Sequence, residues 1–349
     1  MNSNKIKSEN LFKIITVNLI LAVCFFIPGR SIAQQKWINV DSAFAPLPNN
    51  FHVYKCSDSL DGKPFIAYYA TAKLKDRSLD FIADTSKNRR LTPIQFYDKN
   101  NKPLLVVNTC FFSYETNRSL NAVVKDGKTV AANTHTIPLK GKDTFQYKHP
   151  ITGAVGIDKK RNADVAWLLT DTLSKYIYAS QQPIEAKKDS STQIDFDLLR
   201  SEKYSYAPTP IDGKVKLKGF KPRFRKWKMQ TAVGGGPVLV QDGMIKVTNN
   251  EEWRFPGKAI DDKHPRTCMG YTKDGWLIVM VVQGRFPGIA DGVTLKQEAK
   301  LLVDLGCVEA LNLDGGGSSC MLINGKETIK PSDKVQRAVP AVFIVKQRN

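Results

Sequence analysis

The sequence predicts an α+β fold: one strand-rich domain with mixed sheets, a few helices and one long helix near 294–305. Three observations carry this expectation. Short β-branched and aromatic runs recur along the chain and are separated by turn pairs such as Asp126-Gly127 and Asp274-Gly275. One stretch, TLKQEAKLLVDLG at 294–306, has helical periodicity, a capping box from Thr294 and Gln297, and a stop at Gly306. It lies between the strand-like runs GWLIVMVVQGR and CVEALNLD, an order that predicts a βαβ-type crossover.

The elements follow in chain order. Lys5, Lys7 and Lys13 precede an apolar run from Ile14 to Ile27, broken by Pro28-Gly29 and followed by Ser31-Ile32-Ala33. That pattern reads as a secretory signal peptide over 1–33, cleaved after Ala33, and the run is short for a membrane span. The mature domain then covers 34–349 and is secreted or periplasmic. PFIAYYATAKL and SLDFIA read as adjacent strands of a hairpin or meander, and PLLVVNTCFF (103–112) as a buried strand. NAVVKDGKTV (121–130) reads as a hairpin; GAVGID and VAWLLT are further strands. Residues 181–228, polar, proline-bearing and basic, read as a surface insertion. TAVGGGPVLVQDGM joins a glycine run to a strand and a turn, and TCMGYTKDGWLIVMVV is a hairpin.

Charge narrows the partners. The chain carries a formal +19. Four cations and one anion leave with the leader, so the mature domain keeps about +16. Such a balance favours an anionic partner, a phosphorylated or anionic glycan or a membrane surface, although scattered cations also serve simple solubility; nucleic acid is not the expected partner of an exported protein. Five cysteines remain (56, 110, 268, 307 and 320), with no CxxC and no zinc spacing. Disulfides and free buried thiols both stay open. The four histidines form neither a metal cluster nor a triad order. No cofactor is expected; an oxygen-ligand cation site from Asp314, Asp291 and Glu298 remains open.

The most informative stretch is ALNLDGGGSSCM at 310–321. An apolar strand runs into Asp314, three glycines and two serines. Without Cβ atoms at Gly315, Gly316 and Gly317, backbone N–H groups can converge on a ligand, and Ser318 and Ser319 add hydroxyls. Asp-Gly is also an ordinary turn pair, but three glycines exceed a hairpin's need. Gly235 and Gly236 belong to a second such element. Arg266 and Arg285 sit at ends of apolar strands, where a guanidinium can grip phosphate or carboxylate. Glu298 shares a helix face with Leu295, Leu302 and Leu305, so it needs a cationic partner, a polar cavity or an edge position in water.

Together, GGGPVLVQDG, HPRTCMGYTKDGWLIVMVVQGR, GVTLKQEAKLLVDLGCVEALNLDGGGSSCM and PSDKVQRAVPAVFIV resemble the phosphodiester glycosidase family. The resemblance is ordered over 231–345, weaker from about 90 to 130, and not traceable through 135–228. It implies hydrolysis of a sugar C1–O bond to phosphate, with Arg266, Arg285, Asp314, Gly315–Gly317 and Ser318 at matching positions. Under it, Arg266 and Arg285 with the glycine N–H groups would hold phosphate. Asp314 would face the anomeric carbon, and Glu298 would orient an arginine or act as second carboxylate. Asn108, Gly235, Gly236, Gln283, Ser318 and Ser319 would contact sugar or phosphate. Two departures stand out. Thr109-Cys110 replaces a glycine pair of the family's Asn-Gly-Gly-Phe-Phe-like segment, and Gln283 stands where an acid is common. They support a second reading, a glycan binder that lost the reaction; cleavage on the phosphorus side is a third.

Overall fold

The structure, a computed structural model, describes residues 35–170, 176–193, 224–255 and 257–348. The expected leader and residues 194–223 of the expected insertion lie outside the described residues. The flanks of that insertion join the sheets: Lys187–Asp189 pairs with Tyr147–His149, and Arg225–Trp227 pairs with Ile177–Ser180.

Strands dominate, in sheets of eight, seven, five and three. Alternation along the strands explains how three of them share one core. Phe51, Val53, Ala70 and Leu277 point inward from the eight-stranded sheet. They meet Phe81, Leu105, Val107 and Phe343 of the five-stranded sheet, and Val155, Trp167 and Val233 of the seven-stranded sheet. Trp167 is fully buried there, and truncating such a side chain to alanine typically costs about 3–5 kcal/mol. Trp227 lies over Gly156, where a Cβ would come within 2.6 Å of its ring.

Short helices close the outer faces. Helix Pro93–Lys99, capped by Thr92 and Gln95, buries Phe96 against Val106, Leu322 and Ile344. Helix Leu295–Asp304 covers the outer face of the eight-stranded sheet with Leu295, Ala299, Leu301 and Leu302. Its capping box forms as expected: Thr294 Oγ1 accepts from Gln297 N (3.2 Å) and Gln297 Oε1 from Thr294 N (3.0 Å). At ten residues it is of ordinary length rather than long. Among the described residues it is one of four α-helices, and none is long and apolar enough to cross a membrane.

Two expectations are corrected. The sheets are not mixed: every strand pairing among the described residues is antiparallel. The crossover from Trp276–Val282 through the helix to Cys307–Asn312 does form, but Arg266–Thr272 lies between its two strands and pairs with both. The runs at 64–83 are not neighbours. Lys63–Lys73 pairs with Phe51–Leu60 and Trp276–Val282, whereas Leu79–Thr85 joins the five-stranded sheet. The turn at 74–78 hands the chain from one sheet to another, and both strands reach the shared core. Among the described residues the five cysteines are buried, and Cys110, Cys268, Cys307 and Cys320 are free thiols.

Register gives the sheets two ends. Asn108, Gly234, Arg266 and Asn312 lie toward one, while Lys73, Ile157, Thr272 and Gln347 lie toward the other. The glycine-rich turn leaves from the first.

Candidate functional site around Asp314

Strand Cys307–Asn312 delivers Leu313 into the core and Asp314 to its rim. The turn is fastened by backbone. Asp314 N donates to Thr109 O (2.7 Å), Leu313 N to Thr267 O (2.8 Å) and Gly316 N to Pro265 O (2.8 Å). Asn108 completes the fastening from inside. It is fully buried; its Nδ2 donates to Asp314 O (2.6 Å), and its Oδ1 accepts from Thr267 Oγ1 and Cys320 N (both 3.0 Å). Asn108, expected to touch ligand, is therefore a strut that fixes the loop. Ser319 is likewise buried and bonded to Thr267 Oγ1 (3.2 Å).

Asp314 is partly exposed. Burial pushes its carboxyl up to about 7, against the pull of Ser318, the Arg337 charge, the Gly315 N–H and the Arg254 charge. Arg337 stands on the turn by close packing. A Cβ at Gly317 would overlap its guanidinium and the Asp333 carboxylate that holds it. Arg337 Nε donates to Asp333 Oδ2 (2.8 Å), and Nη1 reaches toward Ser318 Oγ (3.4 Å). Tyr114, 60% exposed, lies 5.8 Å from Arg337 and 4.9 Å from Arg90, offering an aromatic face at the rim.

On the other flank, Arg254 stacks 4.9 Å from the Phe111 ring and donates from Nη2 to Gly235 O. Its Nε is buried without a hydrogen-bond partner among the described residues. Glu252 beneath it is fully buried but satisfied by Gly153 N, Val238 N, Trp167 Nε1 and Thr248 Oγ1. Gly235 and Gly236 serve close packing here: a Cβ on either would overlap Asn312 O or the Glu252 carboxylate.

The two predicted arginines part ways. Arg285, exposed and with φ +65°, lays its guanidinium over Gly316, where a Cβ would lie 3.0 Å from Nη2. Arg266 turns inward. It is buried, with Nε on Val293 O (3.1 Å), Nη2 on Asp262 O (3.0 Å) and its charge opposite Glu298. Burial raises Glu298 to about 7 and Arg266 opposes the rise. Neither Glu298 oxygen meets hydrogen-bond geometry with any described residue; the nearby Cys268 thiol interacts only weakly. Asp314, Asp291 and Glu298 do not gather: among the described residues no three His, Cys, Asp or Glu groups are placed to hold a metal. Gln283 is buried and its Oε1 accepts from Lys330 N (2.9 Å). Thr109 and Cys110 are buried too, and burial raises the Cys110 thiol beside Asp314.

The structure thus surrounds Asp314 with Ser318, Arg337, Arg254 and the Gly315–Gly317 turn, with Arg285 over that turn. Arg254 and Arg337 are the cations that sequence reasoning did not single out. Arg337 stands in PSDKVQRAVPAVFIV, four residues after Asp333, so the motif held a usable signal. Arg254 follows a four-residue helix in a run with no periodic cue, and only the fold brings it to Asp314.

Known proteins resemble this chain in sequence and in fold. Residues 101–346 match the family model for phosphodiester glycosidase, a span that includes the 135–228 stretch where the sequence motifs could not be followed. The bovine N-acetylglucosamine-1-phosphodiester alpha-N-acetylglucosaminidase is 37% identical over 106 residues, 28% of this chain and 20% of that protein. The SPbeta prophage-derived uncharacterized protein YomE of Bacillus subtilis is 35% identical over 104 residues, 30% of this chain and 15% of that protein. The matched stretch thus spans a fifth or less of these curated relatives. The zebrafish N-acetylglucosamine-1-phosphodiester alpha-N-acetylglucosaminidase catalytic domain shares the fold, with TM-score 0.54 at 18% identity over 90% of this chain and 89% of that one. A hypothetical protein from Synechocystis does so with TM-score 0.55 at 13% identity, over 90% of this chain and 69% of that one. With well over half its length matched by the family model, and Asp314 and its glycine turn inside the matched span, the chain belongs to the phosphodiester glycosidase family.

Proposed function

We propose that the protein is an exported hydrolase that cleaves the sugar C1–O bond of a glycosyl phosphodiester, releasing free sugar and a phosphomonoester. The observation that carries this reading is Asp314: a carboxyl near neutrality, partly open to solvent, flanked by two guanidiniums and the Ser318 hydroxyl. Phosphate is a good leaving group, so the reaction needs little acid assistance. It needs a stabilised oxocarbenium-like sugar and a held phosphate. Arg337 and Arg285 hold phosphate, and Tyr114 offers a face for the sugar. Ionised Asp314 takes a proton from the attacking water; the water oxygen bonds to C1, the C1–O electrons leave on phosphate, and the proton follows to solvent.

The test is turnover of a sugar-1-phosphodiester in ¹⁸O water by wild type and Asp314→Asn. Label in the sugar, lost with the variant, is the expected result. Label in the phosphate would replace this reading with a phosphodiesterase. Tight binding with no release of sugar would favour a binding protein, the reading supported by Gln283 and by the buried Thr109 and Cys110. Export is proposed from the leader sequence; a secreted product beginning at Gln34 is the expected observation.

A further inference from the structure

Two clefts lie toward the far end of the sheets. One, about 700 Å³, is lined wholly by cations: Lys75, Arg77, Lys159, Lys160, Arg161 and Arg348. The other, about 440 Å³, is lined by His52, Tyr54, Tyr69 and Trp276, with Thr71, Thr272 and Asp274 at hand. We propose that together they form a second, non-catalytic binding surface for a phosphate-bearing polysaccharide, with phosphates in the cationic cleft and sugar faces on the aromatic one.

The cationic cleft is built, not a chance scatter of surface lysines. Its two turns come from different sheets and clasp each other. Lys75 Nζ donates to Lys160 O and Asn162 Oδ1 (both 2.7 Å), and Arg161 Nη1 returns to Asp76 O (2.6 Å) and Leu74 O (3.3 Å). Arg161 holds φ +63° within that clasp. The nearby carboxylates offset only part of the charge. Asp80 is shared by Arg161 and Arg348, and Asp76 and Asp158, bonded to Ser78, Asn50 and Asn162, bring two further anions against six cations. Among the described residues no ion pair engages Arg77, Lys159 or Lys160. Like charges held together in a concave surface attract a multivalent anion.

The aromatic cleft supplies the sugar half. Tyr54 stacks on Tyr69 at 4.7 Å, and His52 lies 6.0 Å from Trp276. Lys73 stands at the aromatic cleft, 4.8 Å over Trp276 and bonded to Asp274 O (2.8 Å), and the next residue, Leu74, which precedes Lys75 of the cationic cleft, bonds to Gly275 O (2.9 Å). Strand Ala341–Gln347 starts beside Asn108 and ends beside Leu79, so the surface lies roughly 20 Å from the Asp314 turn. A polymer repeat can be held here while another chain segment is at Asp314. The choice of a phosphoglycan over other polyanions rests on the proposed reaction; the existence of a polyanion site does not.

The test compares wild type with the surface variant Arg77→Glu/Lys159→Glu/Lys160→Glu, using phosphomannan, unphosphorylated mannan, duplex DNA and phosphatidylglycerol vesicles as probes. The variant is expected to lose about tenfold or more in phosphomannan affinity at low salt and to show a flatter salt dependence. Turnover of a small sugar phosphodiester should stay at the wild-type rate. Trp276→Ala is expected to weaken phosphomannan binding with the salt dependence unchanged. Unchanged phosphomannan affinity in the triple variant, equal binding of plain mannan, or tighter binding of DNA or vesicles would overturn the proposal. Loss of polymer binding in the variant, with no small-substrate turnover even by wild type, would uphold this surface and remove the proposed reaction.

Discussion

Asp314 and Glu298 are two carboxyls pushed by burial to about the same value, near 7, each opposed by arginine. Their surroundings differ. Asp314 sits on a partly open turn, faces a hydroxyl and an N–H, and has two guanidiniums beside it. Glu298 is sealed on the buried face of a helix, without a normal hydrogen bond, against one inward-turned arginine. A displaced pKa is therefore common to both and distinguishes neither; access to a substrate distinguishes them. Asp314 is positioned to do chemistry, and Glu298 to hold Arg266 and the strand end that abuts Gly315.

The largest expected effect separates them on turnover. Asp314→Asn should lower kcat by about 10³- to 10⁴-fold, roughly 4–5 kcal/mol of barrier, in a sugar-release assay. Glu298→Gln, isosteric and remote from solvent, should stay within about threefold of wild type. A comparable loss from Glu298→Gln would place that carboxyl in the reaction and erase the distinction.

The arginines extend the contrast to stability. Arg266→Met leaves a buried carboxyl without its cation and should cost about 4 kcal/mol by denaturant unfolding. Arg337→Met removes a partly exposed cation from an exposed Asp333 and should cost under about 1 kcal/mol. It should instead raise KM for a phosphodiester about tenfold. The opposite ranking of the two variants would mean that Arg266, not Arg337, meets the substrate.

Protons give a third handle. Glu298 has a folded pKa near 7 and an ordinary value of 4.5, so between those values the folded state holds more protons than the unfolded chain. Its contribution to stability is thus full below about pH 4.5 and is lost as pH rises toward 7, by at most about 3 kcal/mol. Glu298→Gln lacks that decline, which denaturation at pH 5 and pH 7.5 will read as a changing difference from wild type. Catalysis should follow Asp314 instead: kcat/KM rises through about pH 7 as Asp314 ionises, with the same midpoint in Glu298→Gln. A midpoint displaced by Glu298→Gln would couple the two groups.

Much of this contrast was legible in the chain. Hydrophobic period and turn pairs located the hairpins at 123–131 and 266–282, because local backbone chemistry decides them. Helical spacing put Glu298 on an apolar face and required a cationic partner, a polar cavity or an edge position for it, since an unpaired buried charge is costly. The glycine run after a buried strand marked Asp314. The missing parts depend on long-range packing. Nothing local says that the chain changes sheet at 74–78, that Asn108 turns inward, or that Arg254 reaches the turn. Arg266 and Arg285 carry the same side chain at ends of the same hairpin, yet one is buried under Phe255 and the other lies on Gly316. On the buried side the counter-charge is Glu298, which faces Arg266.

The smallest expected effect tests whether Glu298's support is local. Thr294→Ala removes the side-chain acceptor that caps the helix carrying Glu298, while Gln297 can still bond the position's backbone N–H. Loss of one cap should cost about 1 kcal/mol of stability. The helix's apolar residues keep it on the sheet, so Arg266 still faces Glu298, and the pH midpoint of kcat/KM should stay where Asp314 puts it. A stability loss of that size with unchanged kcat and midpoint would make the helix a scaffold whose strength and whose effect on the site are separable. A loss of kcat beyond threefold would show that the helix reaches Asp314 through Arg266 and the Pro265–Gly316 contact, and that the two carboxyls belong to one unit.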